Sequence, residues 1–298
     1  MLNTSNKQSS QSQKSKPAIR AYLGGSFDPV HDGHLQMSLY VYECLLPIAK
    51  QQQRALHVSL LPNARSPFKQ HSTNPAHRLA MLKLATQNTP LEVNELELWQ
   101  TPPVYTIDSV TTLRAHHPQD SLIFMMGMDS ARSLEKWKDG LTLTDYVNLW
   151  VFNRNDPVNI NKNVFENNMP TQLQSQLQLQ SQLPTSLHPF VVDSIAKLLT
   201  PNTQSSADSS VLKNRYQGHI YIDSRAIAAV SSTQIRQQLQ QASMSLDIKH
   251  ATQTQIASAV PINDIMSHPK ANPATKWLNP AVYQYIIAHQ LYSAAQFR

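Results

Sequence analysis

The sequence predicts an α/β domain, three layers built around a mostly parallel sheet, with a small helical part at the C-terminal side. Three observations carry that prediction. Short apolar runs alternate with longer stretches whose apolar residues recur at helical spacing. Glycines stand at the carboxyl ends of two of the runs, at Gly24-Gly25 and at Gly127, where open α/β sheets admit ligands. Asn74-Pro75 and Asn279-Pro280 read as helix openings, with Asn as cap and Pro at the first helical position.

Residues 1–17 are Ser, Gln, Asn and Lys with almost nothing apolar, which predicts a disordered tail before a domain over 18–298. Ile19, Tyr22 and Leu23 make the first buried strand. Gly24-Gly25-Ser26-Phe27-Asp28-Pro29-Val30-His31-Asp32-Gly33-His34 follows, and then Leu35, Leu39, Tyr42, Leu45 and Leu46 recur at helical spacing. The stretch is therefore a strand–turn–helix junction. Gly24 and Gly25 are expected to let the chain turn sharply and a ligand approach the backbone. His31 and His34 fall in the first turn of the helix, where free N–H groups and a partial positive charge favour phosphate. Three residues apart, the two imidazoles share a face and are placed to bond one polyphosphate.

Pro47 is expected to end or kink that helix. Ala55 to Leu61 alternates as a second strand would, and Pro62-Asn63-Ala64-Arg65-Ser66-Pro67-Phe68-Lys69 is a loop stiffened twice by proline. The helix opened by Asn74-Pro75 buries Leu79, Met81, Leu82 and Leu84, and Leu91 to Trp99 reads as a further strand. Pro103-Val104-Tyr105-Thr106 precedes another helix, with Thr106 as the expected cap and Val110 and Leu113 facing inward. Leu122 to Met126 is an apolar strand running into Gly127-Met128-Asp129-Ser130. Asp129 suits either ribose hydroxyls or a helix cap. Trp137, among Glu135, Lys136 and Lys138, is expected to keep its ring partly exposed and free to stack on a flat heterocycle.

After the strand Leu149–Phe152 the texture changes. From about 155 to 217 the chain is rich in Asn, Gln and Ser, with Gln at every even position from 172 to 182, which predicts an insertion looping out of the core, with globular texture and a short helix only within His188 to Leu199. His219 to Asp223 is a last short strand. In Val230-Ser231-Ser232-Thr233-Gln234-Ile235-Arg236, Ser232 and Thr233 are natural N-caps and Arg236 lies on the same face three residues on. Hydroxyls, backbone donors and a guanidinium at one helix start make a second phosphate clamp. Residues 240–275 are expected to be a second insertion, before a terminal helix carrying Val282, Tyr285, Ile286 and Leu291.

Composition limits the function classes. The chain has 298 residues, 41% hydrophobic, and a net charge of +6. Lys7, Lys14 and Lys16 lie in the acid-free tail, so the domain carries too little charge for a nucleic-acid-binding face. Cys44 is the only cysteine, which excludes an internal disulfide and fits a reducing cytoplasm. No apolar run is long enough to span a bilayer, and the N-terminus lacks the apolar core of a signal peptide. The expectation is a soluble cytoplasmic protein without nucleic-acid or membrane partners; the sequence leaves its oligomeric state open.

The eleven-residue stretch Gly24–His34 resembles the signature of the H-x-G-H nucleotidylyltransferases, and its wording is most similar to the bacterial nicotinate-nucleotide adenylyltransferases. Val230–Arg236 is similar to that family's second signature. The resemblance covers roughly 18–154, 219–239 and 277–292. It implies a Rossmann-like fold and adenylyl transfer from ATP to nicotinate mononucleotide, with Mg²⁺ carried by ATP and no protein metal cage. It further implies that His31, His34, Lys69 and Arg236 are catalytic. ATP would lie against Gly25, Ser26, Phe27, His31, His34, Gly127, Asp129, Ser232, Thr233 and Arg236. The mononucleotide would meet Ser26, Phe27, Lys69, Tyr105, Thr106, Asp129 and Trp137. Phe68 departs from the family, which has His there. The alternatives are a related adenylyltransferase acting on nicotinamide mononucleotide or phosphopantetheine, and a non-catalytic nucleotide-binding protein of the same fold.

Overall fold

The computed structural model describes residues 16–65, 72–153, 177–200, 217–225, 230–241 and 273–292. Seven parallel strands form one sheet in the order β3-β2-β1-β4-β5-β7-β6. They are β1 (Ile19–Gly25), β2 (Leu56–Pro62), β3 (Glu92–Val93), β4 (Ser121–Gly127), β5 (Asn148–Phe152), β6 (Val191–Val192) and β7 (Ile220–Asp223). Both faces are covered, so the central strands read as continuous apolar runs. Period-2 alternation divides them between two cores. Ile19, Ala21, Leu23, Ile123, Met125, Trp150 and Phe152 face the first. Tyr22, Leu122, Phe124, Met126, Leu149 and Val151 face the second. The expected three-layer α/β fold is thus present, Rossmann-like and with every pairing parallel.

Helices α1 (Asp32–Gln52) and α2 (Pro75–Thr86) cover the first face together with α5 (Ile195–Leu199), α6 (232–241) and α7 (Pro280–Ala288). Helix α3 (Thr106–His116) and the single turn α4 (Met128–Ala131) lie on the second. The chain runs outward from β1 to β2 and β3, then returns to place β4 on the other side of β1. That reversal opens a crevice at the carboxyl ends of β1 and β4, the place where open parallel sheets bind ligands. Gly24–His34 and Gly127–Asp129 both sit there.

Four expectations about elements need correction. Helix α1 does not end at Pro47 but runs through it to a left-handed Gln53 (φ 55°). Its buried stripe Met37, Val41, Leu45, Ala49 continues on both sides of the proline, and that packing outweighs the one lost backbone bond. The strand expected over Leu91 to Trp99 shrinks to Glu92–Val93. Asn94 breaks it: its side-chain oxygen accepts the Leu96 N–H at 3.0 Å, a local bond that replaces a ladder bond. Tyr105, not Thr106, caps α3, through its backbone and without a side-chain bond.

The segment 177–200, expected within a looped-out insertion, is instead part of the core, while the short helix expected within His188 to Leu199 is present as α5. Leu179, Leu183 and Leu187 are buried in the second core and Leu198 and Leu199 in the first. Val191 and Val192 pair with Ile220 and Tyr221 as the edge of the sheet. The rest of the 155–217 expectation, apart from 217 itself, lies outside the described residues. So do the tail to residue 15 and residues 242–272 of the second insertion.

Candidate active site

Strand β1 ends at Gly25, and the turn is made two residues later by Phe27, whose φ is 47°. No glycine has a positive φ, so the expected role of Gly24 and Gly25 in turning the chain is corrected. Gly24 is there for space: a Cβ on it would lie 2.4 Å from the Phe124 ring. The Phe27 ring is buried and meets the His34 ring edge-on at 4.8 Å.

His31 is the N-cap of α1, in an extended conformation. Its backbone N–H donates to His34 Nδ1 at 3.3 Å, and the two imidazoles stack with centroids 3.7 Å apart. Because Nδ1 accepts, the neutral His34 ring carries its proton on Nε2. His31 is buried and His34 half-buried.

The second signature docks onto the first. Ser231, rather than Ser232 or Thr233, caps α6: its Oγ accepts the Gln234 N–H at 3.2 Å while Gln234 Oε1 accepts the Ser231 N–H at 3.0 Å. This is a reciprocal capping box. Ser232 is thereby free to donate to the Pro29 carbonyl at 2.9 Å. Arg236 donates through Nη2 to Thr233 Oγ1 at 3.1 Å and through Nη1 to the Asp28 carbonyl, 208 residues away in sequence. Gly33 lets the two segments close up, since a Cβ there would lie 3.0 Å from Val230 Cγ1.

Under this junction lies a fully buried arginine that the sequence reading missed. Arg78 donates through Nη1 to the carbonyls of Ser26 (2.9 Å) and Asn63 (2.7 Å), through Nη2 to Ala64 (2.6 Å) and through Nε to Thr73 (3.1 Å). Burial pulls its pKa down and the Asp28 carboxylate opposes that. One guanidinium thus ties the ends of β1 and β2 to the start of α2. Asn63, also missed, donates from its backbone to Gly25 O at 3.0 Å and from Nδ2 to Ser26 Oγ at 3.4 Å.

The chain belongs to the cytidylyltransferase-like family, whose model matches residues 22–238. Within it the chain falls among the nicotinate-nucleotide adenylyltransferases. A probable nicotinate-nucleotide adenylyltransferase of Aeromonas salmonicida is 31% identical over 222 residues, covering 73% of this chain and 84% of the relative. One of Idiomarina loihiensis is 29% identical over 232 residues, covering 77% and 92%. The fold is shared with a Plasmodium falciparum nicotinic acid mononucleotide adenylyltransferase complexed with NaAD, at a TM-score of 0.52 and 16% identity over 92% of this chain and 97% of that one.

The remaining residues expected to meet the mononucleotide lie on α3, after β4 and along the edge of the second core. Tyr105 and Trp137 are half-buried at the edge of the second core. Lys138 places Nζ 4.8 Å from the Tyr105 ring centroid and pairs with Asp108 at 3.1 Å. Gly140 is required behind Trp137, because a Cβ would lie 2.2 Å from Leu134 O and 2.8 Å from Trp137 Cβ. Thr106 is the first residue of α3, Gly127 ends β4, and Asp129 is exposed just beyond it. Lys69, with Phe68 beside it, lies outside the described residues. Among the described residues, no helix is long and apolar enough to cross a membrane.

Proposed function

We propose that this protein transfers the adenylyl group of ATP to nicotinate mononucleotide, forming nicotinate adenine dinucleotide and pyrophosphate in the cytoplasm. The observation that carries the reading is the docking of the two signatures at the switch point, with Arg236 and Ser232 on the carbonyls of Asp28 and Pro29. That docking brings the His31–His34 pair and Arg236, 208 residues from Asp28 in sequence, to the same loop.

In this reading a phosphate oxygen of the mononucleotide attacks the α-phosphorus of ATP in line. The new P–O bond forms as the bond to the bridging oxygen breaks, and pyrophosphate leaves with that electron pair. The nucleophile is already ionised at neutral pH, so no general base is needed. Catalysis consists of holding two polyanions together and meeting the charge that develops. His34 Nε2–H and Arg236 are the donors for the leaving phosphates, with His31 holding the His34 ring in place and Lys69 the further cation from the loop. Ser26, Phe27 and the backbone at Gly25 and Gly127 bound the nucleotide, Ser232 and Thr233 start the helix that faces the phosphates, and Asp129 is placed for ribose hydroxyls. On the acceptor side Trp137 stacks on the pyridine ring, while Tyr105 and Thr106 begin the helix whose N–H groups meet the carboxylate.

Mg²⁺ is expected with ATP. The described residues contain no group of three His, Cys, Asp or Glu suited to a metal. Mg²⁺ prefers oxygen ligands, whereas this patch offers imidazole and guanidinium nitrogen. The triphosphate oxygens of ATP would hold the ion, and His34 and Arg236 would meet the phosphates from the protein side. Pyrophosphate release, measured with ATP and a panel of nicotinate mononucleotide, nicotinamide mononucleotide and phosphopantetheine, tests the proposal. Turnover is expected with the first, and release with phosphopantetheine alone would overturn the assignment.

A further inference from the structure

The first-signature loop is held through Asp28 by Tyr292, a residue that neither signature contains. Asp28 is buried, and each of its side-chain oxygens has a donor. Oδ1 accepts the Tyr292 hydroxyl at 2.6 Å and Oδ2 accepts the Thr73 N–H at 3.1 Å. Its carbonyl oxygen is the one that receives Arg236. Asp28 thus joins four pieces of chain: its own loop, the start of α2, the second signature and the turn after α7.

Tyr292 is set up for this bond. It is fully buried and has a left-handed backbone, φ 61°, a conformation that a bulky residue keeps only where its surroundings hold it. Burial, with the Asp28 carboxylate next in effect, keeps its hydroxyl well above the usual tyrosine range. It therefore remains an O–H donor at any working pH. Helix α7 is fastened in turn to α2, where His77 Nδ1 and Tyr285 Oη lie 2.9 Å apart.

We propose that Tyr292 is a positioning residue for adenylyl transfer: through Asp28 it holds the loop from Phe27 to His31, and Arg236 with it, where the transferring phosphate needs them. The inference rests on the proposed function. Phosphate transfer depends on placement, and a misplacement of about 1 Å at reacting groups costs on the order of 100-fold. Asp28 lies between the Phe27 turn and the His31 cap, so a tilt of its backbone moves the ring packed edge-on against His34, a histidine and an arginine contact together. The bond spans 264 residues, so the site is complete only once the C-terminal turn has docked.

The test is Tyr292→Phe, which removes one oxygen from a packed ring. Steady-state pyrophosphate release is measured with ATP and nicotinate mononucleotide, below the unfolding temperature of either form. The expected result is a kcat lower by about tenfold or more, the size of one hydrogen bond to a carboxylate. KM for both substrates should stay within about twofold, because ground-state contacts are not removed. In the Asp28→Asn background the same substitution should cost less than about threefold, since the two act as a unit. An unchanged kcat in folded Tyr292→Phe, or an equal loss in both backgrounds, overturns the inference. If Tyr292→Phe did not fold, Asp28→Asn alone would decide: a lowered kcat at constant KM supports the positioning role, and a wild-type kcat overturns it. A wild-type enzyme without turnover would instead tell against the proposed function, so the two failures are distinguishable.

Discussion

The two sides that the proposed function assigns to phosphate and to acceptor are built in different ways. On the phosphate side, a buried arginine on four carbonyls joins the loop after β1 to the end of β2 and the start of α2, and the loop is held further by two donors on Asp28 and by Ser232 and Arg236 on its backbone. On the acceptor side, α3 starts without a side-chain cap, Tyr105 and Trp137 are half-buried, and the nearest charge pair, Lys138–Asp108, is exposed. The difference teaches a division of labour. Charge development at phosphorus needs fixed donors, because preorganisation is what stabilises a transition state. Choosing an acceptor needs only a stacking ring and a few backbone groups.

That division makes unequal predictions for the two sides. The largest effect should come from Arg78→Met, which leaves four carbonyls without their common donor. We expect a loss of about 3–5 kcal/mol in a urea unfolding experiment, and a loss below about 1 kcal/mol would show that the phosphate side is not held in this way. Next is His34→Ala. Removing one preorganised donor costs on the order of 10²–10³ in kcat, and the circular dichroism spectrum should be unchanged. Near-normal turnover would reduce the histidine to a helix cap.

The third prediction sharpens the acceptor side. Glu97 is buried in the turn before α3, and burial raises its carboxyl from 4.5 to about 7, with the Ser109 hydroxyl pulling the other way. A carboxyl whose folded pKa is raised is held protonated in the native state while the unfolded chain releases its proton. Its contribution is therefore present below about pH 4.5 and is lost as pH rises through 7. The wild type should lose up to about 3 kcal/mol from this group between pH 5 and 8, and Glu97→Gln should flatten that slope in urea midpoints. An identical pH profile for both would remove Glu97 from the account.

The smallest effect concerns acid against amide. Lys138 is already paired with Asp108 through both carboxylate oxygens, at 3.1 and 3.3 Å, which leaves the N–H groups at the start of α3 to prefer a carboxylate. Nicotinate mononucleotide should be favoured over nicotinamide mononucleotide by at least about tenfold in kcat/KM, about 1.4 kcal/mol. Lys138→Ala should change that ratio by less than about threefold. A collapse of the preference in this variant would move the selectivity from backbone to lysine.

Where information was local, the sequence was readable. The strands β1, β2, β4, β5 and β7 follow from apolar runs, and the helix openings at Asn74 and Asn279 have the expected side-chain caps, each at 2.9 Å. The second signature was legible as a motif, but its docking on the first through Ser232 and Arg236 was not. What escaped was set by partners distant in sequence. Nothing beside Arg78 shows that its targets are carbonyls 52 and 15 residues away, and Tyr292 reads as one more aromatic after a helix. In Ser231-Ser232-Thr233 any of the three is a plausible cap, and the choice of Ser231 depends on Gln234 three residues on. The leucines of 177–200 recur at a helical spacing of four, Leu179, Leu183 and Leu187, but the surrounding glutamines hide them.

The central claim is that the two docked signatures carry out adenylyl transfer at one α-phosphorus. The most direct test is to follow ATP labelled at the α-phosphate, incubated with the protein, Mg²⁺ and nicotinate mononucleotide, by separating the products. All transferred label should appear in nicotinate adenine dinucleotide, with one unlabelled pyrophosphate for each dinucleotide formed. Label recovered only as AMP or untouched ATP, with no labelled dinucleotide, would contradict it.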